Sequence, residues 1–368
     1  LLVQAAARLV EGLREGDTVG RLGGDEFIVL LGGLTDVNGA RPVARNLLER
    51  FREVFYLDGR ELILTTSIGI AVYPVDGTTP EELLRNSDTA MYYSKQQGRN
   101  SFNYFTAEMN RETSRRVLLE EHLYGALERG EMYVHYQPLI QIKHRVLVGA
   151  EALLRWESPL LGTISPDEFI PILEQNGQIV AVGRYVLLEA LKMTARWEKL
   201  CTFQIAVNLS PQQFRDPDLL QFIGDTLQQY GLSGHALKLE ITEGVLMNAS
   251  IFVDNLMAEL NRMGVSISMD DFGTGYSSLS YLRNYPFNTL KIDRSFINDI
   301  TEDSADRELV SAAITMGRNL GLQVVAEGVE TEQQLDILKQ LQCELAQGYL
   351  FSEPVSADHF TRLIATFS

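Results

Sequence analysis

Apolar and polar positions alternate along this chain in two registers, and the pattern changes character near residue 106. Leu2, Ala6, Leu9, Val10 and Leu13 recur at helical spacing and predict an opening amphipathic helix. Two extended runs follow, residues 18–22 and 25–31, separated by Gly23-Gly24. Glycines accept positive φ, so the pair predicts a tight hairpin turn. A helix over 40–55, a strand over 62–72, a turn at 74–77 and a helix over 80–98 complete an α/β sandwich expected to occupy residues 1–105.

Residues 107–128 are polar, free of proline and helix-favouring, and are expected to form a connecting helix (106–128). Beyond it, apolar strands centred near Val134, Val148, Ile205, Leu239, Ile267, Leu290, Val325 and Leu350 alternate with helical stretches such as 179–199, 219–230, 252–263, 307–319 and 332–341. Eight strands with intervening helices predict a (β/α)8 TIM-like barrel over 129–368. Its functional groups should lie where strands run out at the C-terminal face.

Polar residues at seven sites, one of them a pair, close or follow those runs: Glu151, Asn208, Glu240, Asp270-Asp271, Lys291, Glu327 and Gln347. Singly, each has a plainer reading. Glu151 would be a strand-edge acid, Asn208 a helix cap, Asp270-Asp271 a turn, and Lys291 a solvated lysine. Jointly, carboxylates from separate strands at one barrel rim repel one another unless a cation compensates. The pattern therefore asks for divalent metal, and an all-oxygen set without His or Cys suits Mg²⁺ or Mn²⁺ rather than zinc.

Composition narrows the picture. Hydrophobic content of 45% with 22% charged residues is that of a globular protein, and 368 residues imply two domains. A net charge of −17 argues against a nucleic-acid polymer as partner, yet leaves room for a small anion held through metal. Cys201 and Cys343 lack metal-ligand spacing and read as reduced thiols in a cytoplasmic setting. No apolar run approaches the roughly 18 residues of a membrane span. The first residue is Leu1, inside a helix, so the sequence is expected to be a piece of a longer protein, and whether that parent is membrane-tethered stays open.

Glu151-Ala152-Leu153, Asn208-Leu209-Ser210, Glu240-Ile241-Thr242-Glu243, Asp270-Asp271-Phe272-Gly273, Lys291-Ile292-Asp293, Glu327-Gly328-Val329-Glu330 and Gln347-Gly348-Tyr349 together resemble the EAL family of cyclic-di-GMP phosphodiesterases, over residues 117–368. The resemblance implies metal-dependent hydrolysis of cyclic di-GMP to linear pGpG, with two Mg²⁺ or Mn²⁺ ions. Glu151, Asn208, Glu240 and Asp270 would hold one ion, and Asp270, Asp271 and Glu327 the other. Lys291 would orient water or offset charge on phosphorus, Glu327 would serve as base, and Gln347 would close the site. Substrate contacts carried over are Gln137 and Arg155, with Asp293 and Glu330 more weakly. Glu243 would anchor the loop from Asp271 to Leu279, which the family links to dimerisation. A homodimer is expected. A catalytically inactive cyclic-di-GMP receptor is the alternative, although none of the metal, lysine or loop-anchor positions is substituted.

Gly23-Gly24-Asp25-Glu26-Phe27 resembles the GGDEF family of diguanylate cyclases, with Lys95 and Arg99 in a supporting run. By that resemblance the glycines approach nucleotide phosphates, Glu26 is a metal ligand, and Lys95 and Arg99 neutralise a triphosphate. Arg14 and Asp17 match an inhibitory product site, with a plain surface ion pair as the simpler reading. The family's first strand and helix would lie upstream of Leu1. The expectation is a regulatory unit with residual GTP binding rather than a working cyclase, the parent being potentially bifunctional.

Overall fold

The structure, a computed structural model, describes all residues except Asp58, 247–250, 274–278, Asp303 and Ser368. It divides into two units, Leu1–Glu121 and His122–Ser368.

In the first unit, helices α1 (Leu2–Glu11), α2 (Arg41–Arg52) and α3 (Pro80–Gln96) accompany three two-stranded pieces. Strands β1 (Thr18–Gly23) and β2 (Glu26–Leu30) form the expected hairpin. Its turn is built on Gly24, at φ +49°, and Asp25 rather than on the two glycines. The strand expected over 62–72 is broken. β3 (Phe55–Leu57) pairs with β4 (Arg60–Leu62), and β5 (Ile68–Ile70) pairs in parallel with β6 (Phe102–Tyr104). Ala5, Leu9, Leu47, Phe51 and Phe55 form one core here, and the Arg8 guanidinium stacks over the Phe55 ring at 3.6 Å. Helix α3 opens on a capping box in which Thr79 and Glu82 satisfy each other's backbone amides. Helix α4 (Ala107–Leu123) follows and ends five residues short of the expected 128.

The second unit is a closed eight-stranded barrel. In ring order its strands are β7 (Met132–Gln141), β8 (Val146–Ser158), β10 (Gln204–Asn208), β11 (Leu237–Thr242), β12 (Ser266–Phe272), β13 (Thr289–Ile292), β14 (Gln323–Ala326) and β15 (Leu345–Ala346). A short β9 (Gly162–Ile164) folds back on the end of β8. Seven strands run parallel, while β7 is antiparallel to both its neighbours, β8 and β15. The expected eighth strand near Leu350 is Leu345–Ala346 instead.

Helices α5 (Pro166–Gln175), α6 (Ile179–Trp197), α7 (Leu219–Tyr230), α8 (Glu243–Leu246), α9 (Ile251–Arg262), α10 (Leu279–Asn284), α11 (Arg294–Asn298), α12 (Ser304–Asn319), α13 (Glu332–Gln340) and α14 (Ala357–Ile364) complete the unit. Apart from register shifts in β7 and β12, the strands alternate. Ile205, Val207, Leu237, Leu239, Ile241, Ile267, Met269 and Leu290 belong to the apolar core, and Val324, Ala326 and Ala346 to a second cluster. The residues between them face the barrel axis, and many of these are polar. Gln137, Glu151, Lys238, Glu240, Ser268, Asp270, Thr289, Lys291 and Gln347 are all buried. A polar barrel interior leaves stability to the outer layer, where Tyr136, Trp197, Phe203 and Phe360 pack with ring centroids 4.7–6.1 Å apart.

Candidate metal centre

Strand register decides which side chains meet. Asn208 pairs with Glu240 across β10 and β11, and Gln137 stands opposite Glu151 across β7 and β8. Glu151 therefore lies mid-strand rather than at a strand end, and β8 continues seven residues beyond it to Ser158.

At β12 the chain solves a geometric problem. Successive strand residues normally point to opposite faces. Asp271 takes φ +53° beside a register shift between Met269 and Phe272, and this kink lets neighbouring carboxylates serve one mouth. Oxygens of Asp270, Asp271 and Glu327 lie within 4.8 Å of one another. A left-handed conformation at a non-glycine residue is strained, and such strain concentrates at functional sites.

Lys291, 2% exposed, is ringed by acids. Its Nζ lies 2.6 Å from Glu240, 2.6 Å from Glu327, 3.2 Å from Asp270 and 3.6 Å from Glu151. Gln347 and Asn208 hold Glu151 from two sides. The Gln347 amide donates to Glu151 Oε2 at 2.6 Å and to Gln137 Oε1 at 2.8 Å, and Asn208 Nδ2 donates to Glu151 Oε1 at 2.6 Å. Gln137 in turn donates to the Ser352 carbonyl at 3.2 Å.

The electrostatics follow from crowding in a buried space. Burial lifts Glu240 well above the usual carboxylate range; Lys291 opposes this, while Glu151, Asp270 and Glu327 add to it. Glu327 is pushed up to about 8, by burial first and then by Asp270 and Glu151 against the pull of Lys291. Burial, Asp270 and Asp293 also raise Asp271. Burial acts to raise Glu151 as well, but Lys291, Gln347 and Asn208 outweigh it and hold Glu151 low. Burial works against the Lys291 ammonium, yet the four carboxylates overcome it and hold its proton firmly.

One ammonium against four carboxylates leaves negative charge in excess. Asp270 Oδ1 is buried, and its one ion pair among the described residues is with Lys291 at 3.2 Å. An all-oxygen donor set with surplus charge fits hard divalent cations.

The remaining expected residues are dispersed. Arg155 is half-buried above Glu151 on β8, donates to the Leu154 carbonyl at 2.8 Å, and is lowered by burial. Asp293 caps α11, accepting from Ser295 N at 3.0 Å. Glu330 is exposed beside α13. Glu243 opens α8, and most of the loop it was expected to anchor lies outside the described residues.

In the first unit Gly23, Gly24, Asp25 and Glu26 are exposed at the hairpin tip, and Lys95 and Arg99 are exposed at the end of α3 and just after it. Arg14 pairs with Asp17 at 3.4 Å and donates to the Gly32 carbonyl.

Lys238 was missed from sequence. It is 3% exposed on the inward face of β11, two residues before Glu240, and burial lowers it to about 8 against the pull of Glu240.

Comparisons with known proteins agree with this geometry. The profile of the family described as "EAL domain" matches residues 120–354, and that of "Diguanylate cyclase, GGDEF domain" matches residues 1–101. The bifunctional diguanylate cyclase/cyclic di-GMP phosphodiesterase MucR of Pseudomonas aeruginosa is 41% identical over 99% of this chain and 53% of its own length. The cyclic di-GMP phosphodiesterase PdeR of Escherichia coli is 34% identical over 98% of this chain and 55% of its own. The chain thus spans about half the length of the curated relatives it matches. Among solved structures, the PaMucR phosphodiesterase in complex with c-di-GMP is 43% identical with a TM-score of 0.63, over 66% of this chain and 99% of that one. The chain belongs to the EAL domain family, in the tandem arrangement that sets a GGDEF domain before the barrel.

Proposed function

We propose that the barrel hydrolyses cyclic di-GMP to linear pGpG. The observation that carries this reading is the ring of Glu151, Glu240, Asp270 and Glu327 around Lys291, with Asp271 brought into the same mouth. The names of the relatives supply the substrate. Glu151, Asn208, Glu240 and Asp270 would hold one Mg²⁺ or Mn²⁺, and Asp270, Asp271 and Glu327 a second. Such ions supply Lewis acidity to phosphoryl oxygens and acidify water.

The chain's own residues divide the remaining work. Lys291 is fixed by four carboxylates, so its ammonium can face developing negative charge without reorganising. Glu327, beside Lys291 and Asp270 at the mouth, would take a proton from attacking water once it is ionised. The water oxygen bonds phosphorus as the bond from phosphorus to one ribose 3′-oxygen breaks. That oxygen leaves with a proton, and the ring opens to a 5′-phosphorylated dinucleotide. Gln137 and Arg155 would hold the substrate, Arg155 through the fork its guanidinium offers to phosphate or guanine. Gln347 keeps Glu151 and Gln137 in register.

Chromatography of cyclic di-GMP incubated with the chain and Mg²⁺ or Mn²⁺ tests the reading. A pGpG product that vanishes in Glu151→Ala supports it. Unchanged substrate, tightly bound, would instead favour a receptor. We assign the GGDEF unit, with 106–128 as connector, a regulatory part with GTP as candidate ligand, and the assembly a homodimer. Calorimetric titration of GTP into the Glu151→Ala chain and light scattering check these two assignments.

A further inference from the structure

We propose that Lys238 sets the metal affinity of the barrel site from beneath, as a fixed cation that compensates the carboxylates when no ion is bound. The inference rests on the metal reading above.

Barrel interiors are ordinarily filled by layers of branched apolar side chains. Here the interior is built differently. Lys238 is register-paired with Ala206 on β10 and Ser266 on β12, and Ala206 in turn with Glu151 on β8. Glu240 pairs with Ser268, and Ser268 with Thr289 on β13. The two residues that flank Lys238 are small, which leaves room for its long side chain. It is 3% exposed, a setting in which an ammonium is costly unless compensated.

Among the described residues Lys238 Nζ makes no hydrogen bond or ion pair. The groups facing it electrostatically are Glu240 and Lys291. The hydroxyls of Ser268 and Thr289 are fully buried on the same inward face and have no partner. Lys238 and Glu240 stand two residues apart on one strand face, about 7 Å between Cα atoms. The compensation for this buried lysine is therefore the acidic cluster itself. A cation there stabilises the metal-free carboxylates and opposes each divalent ion that enters. By Coulomb's law at that range, its removal should strengthen metal binding by about tenfold or more.

The test is calorimetric titration of Mn²⁺ and Mg²⁺ into the metal-stripped full chain, unsubstituted and as Lys238→Met, Lys238→Gln and Lys238→Arg. Met and Gln should each lower Kd by about tenfold or more, while Arg should stay near the parent value. A purely structural role would leave Kd unchanged or raise it, and either result in Met and Gln overturns the proposal. Circular dichroism accompanies each titration. A variant that folds only with Mn²⁺ present supports the proposal. Failure of both Met and Gln to fold, with and without the ion, assigns Lys238 to the architecture and overturns it. No uptake by the unsubstituted chain would overturn the metal reading first, whereas uptake with equal constants in all four chains overturns this inference alone.

Discussion

Lys291 and Glu240 meet at 2.6 Å with both side chains almost wholly removed from solvent. Breaking a buried pair from one side strands the other charge, and here Lys291 is shared by four acids. Lys291→Met should destabilise the metal-free chain by roughly 3–5 kcal/mol. Thermal unfolding with and without Mn²⁺ checks this, since added ion should recover a large part of the loss. Turnover should fall by about 10²–10³-fold, the usual scale for removing a preorganised electrostatic group.

Gln347 donates to Glu151 and Gln137 at once, at 2.6 and 2.8 Å. Gln347→Ala frees Glu151 to swing while keeping every proposed metal carboxylate. Metal affinity should drop about 10–100-fold, as for other partners that orient a ligand. A calorimetric Kd that stays at the parent value would remove Gln347 from the site's support.

The residue after Gln347 is glycine for a reason of space. A Cβ on Gly348 would stand 2.1 Å from the Val329 carbonyl oxygen and 2.3 Å from its nitrogen, both backbone atoms that cannot rotate away. Gly348→Ala should destabilise the barrel by about 1–3 kcal/mol or more and displace Gln347. Urea unfolding measures the first effect, and loss of metal affinity the second.

Burial pushes the Cys343 thiol up to about 12, against an ordinary value of 9.0. Between those values the unfolded chain loses a proton that the folded chain keeps, so stability falls as pH rises. The slope is at most about 1.4 kcal/mol per pH unit. Cys343→Ala should flatten it, in denaturant melts from pH 8 to 10.5. Below pH 9 the thiol should resist iodoacetamide until the chain unfolds.

The sequence made the strand exits legible because Asn208 ends its strand, Glu327 follows one, and Glu240, Asp270 and Lys291 each lie within two residues of a strand's end. The residue type and its position then point the same way. Glu151 misled because β8 carries its alternation straight through it to Ser158. Alternation has no direction, so the antiparallel course of β7 could not be read from it. Lys238 hid in plain view, since lysine between leucines normally signals a solvated face and only a closed barrel turns that face inward. In the first unit the run 62–72 looked continuous, yet backbone pairing there is confined to its two ends, Arg60–Leu62 and Ile68–Ile70.

Because β8 overshoots the rim, the mouth has a wall on one side. Arg155 follows Glu151 by four residues on the same strand face, about 13 Å higher at the rise of an extended strand. The guanidinium is thereby set apart from the acids on the same wall, and a guest that engages both has to bridge two regions of opposite charge. The overshooting strand gives the mouth a polarity along its wall as well as across it.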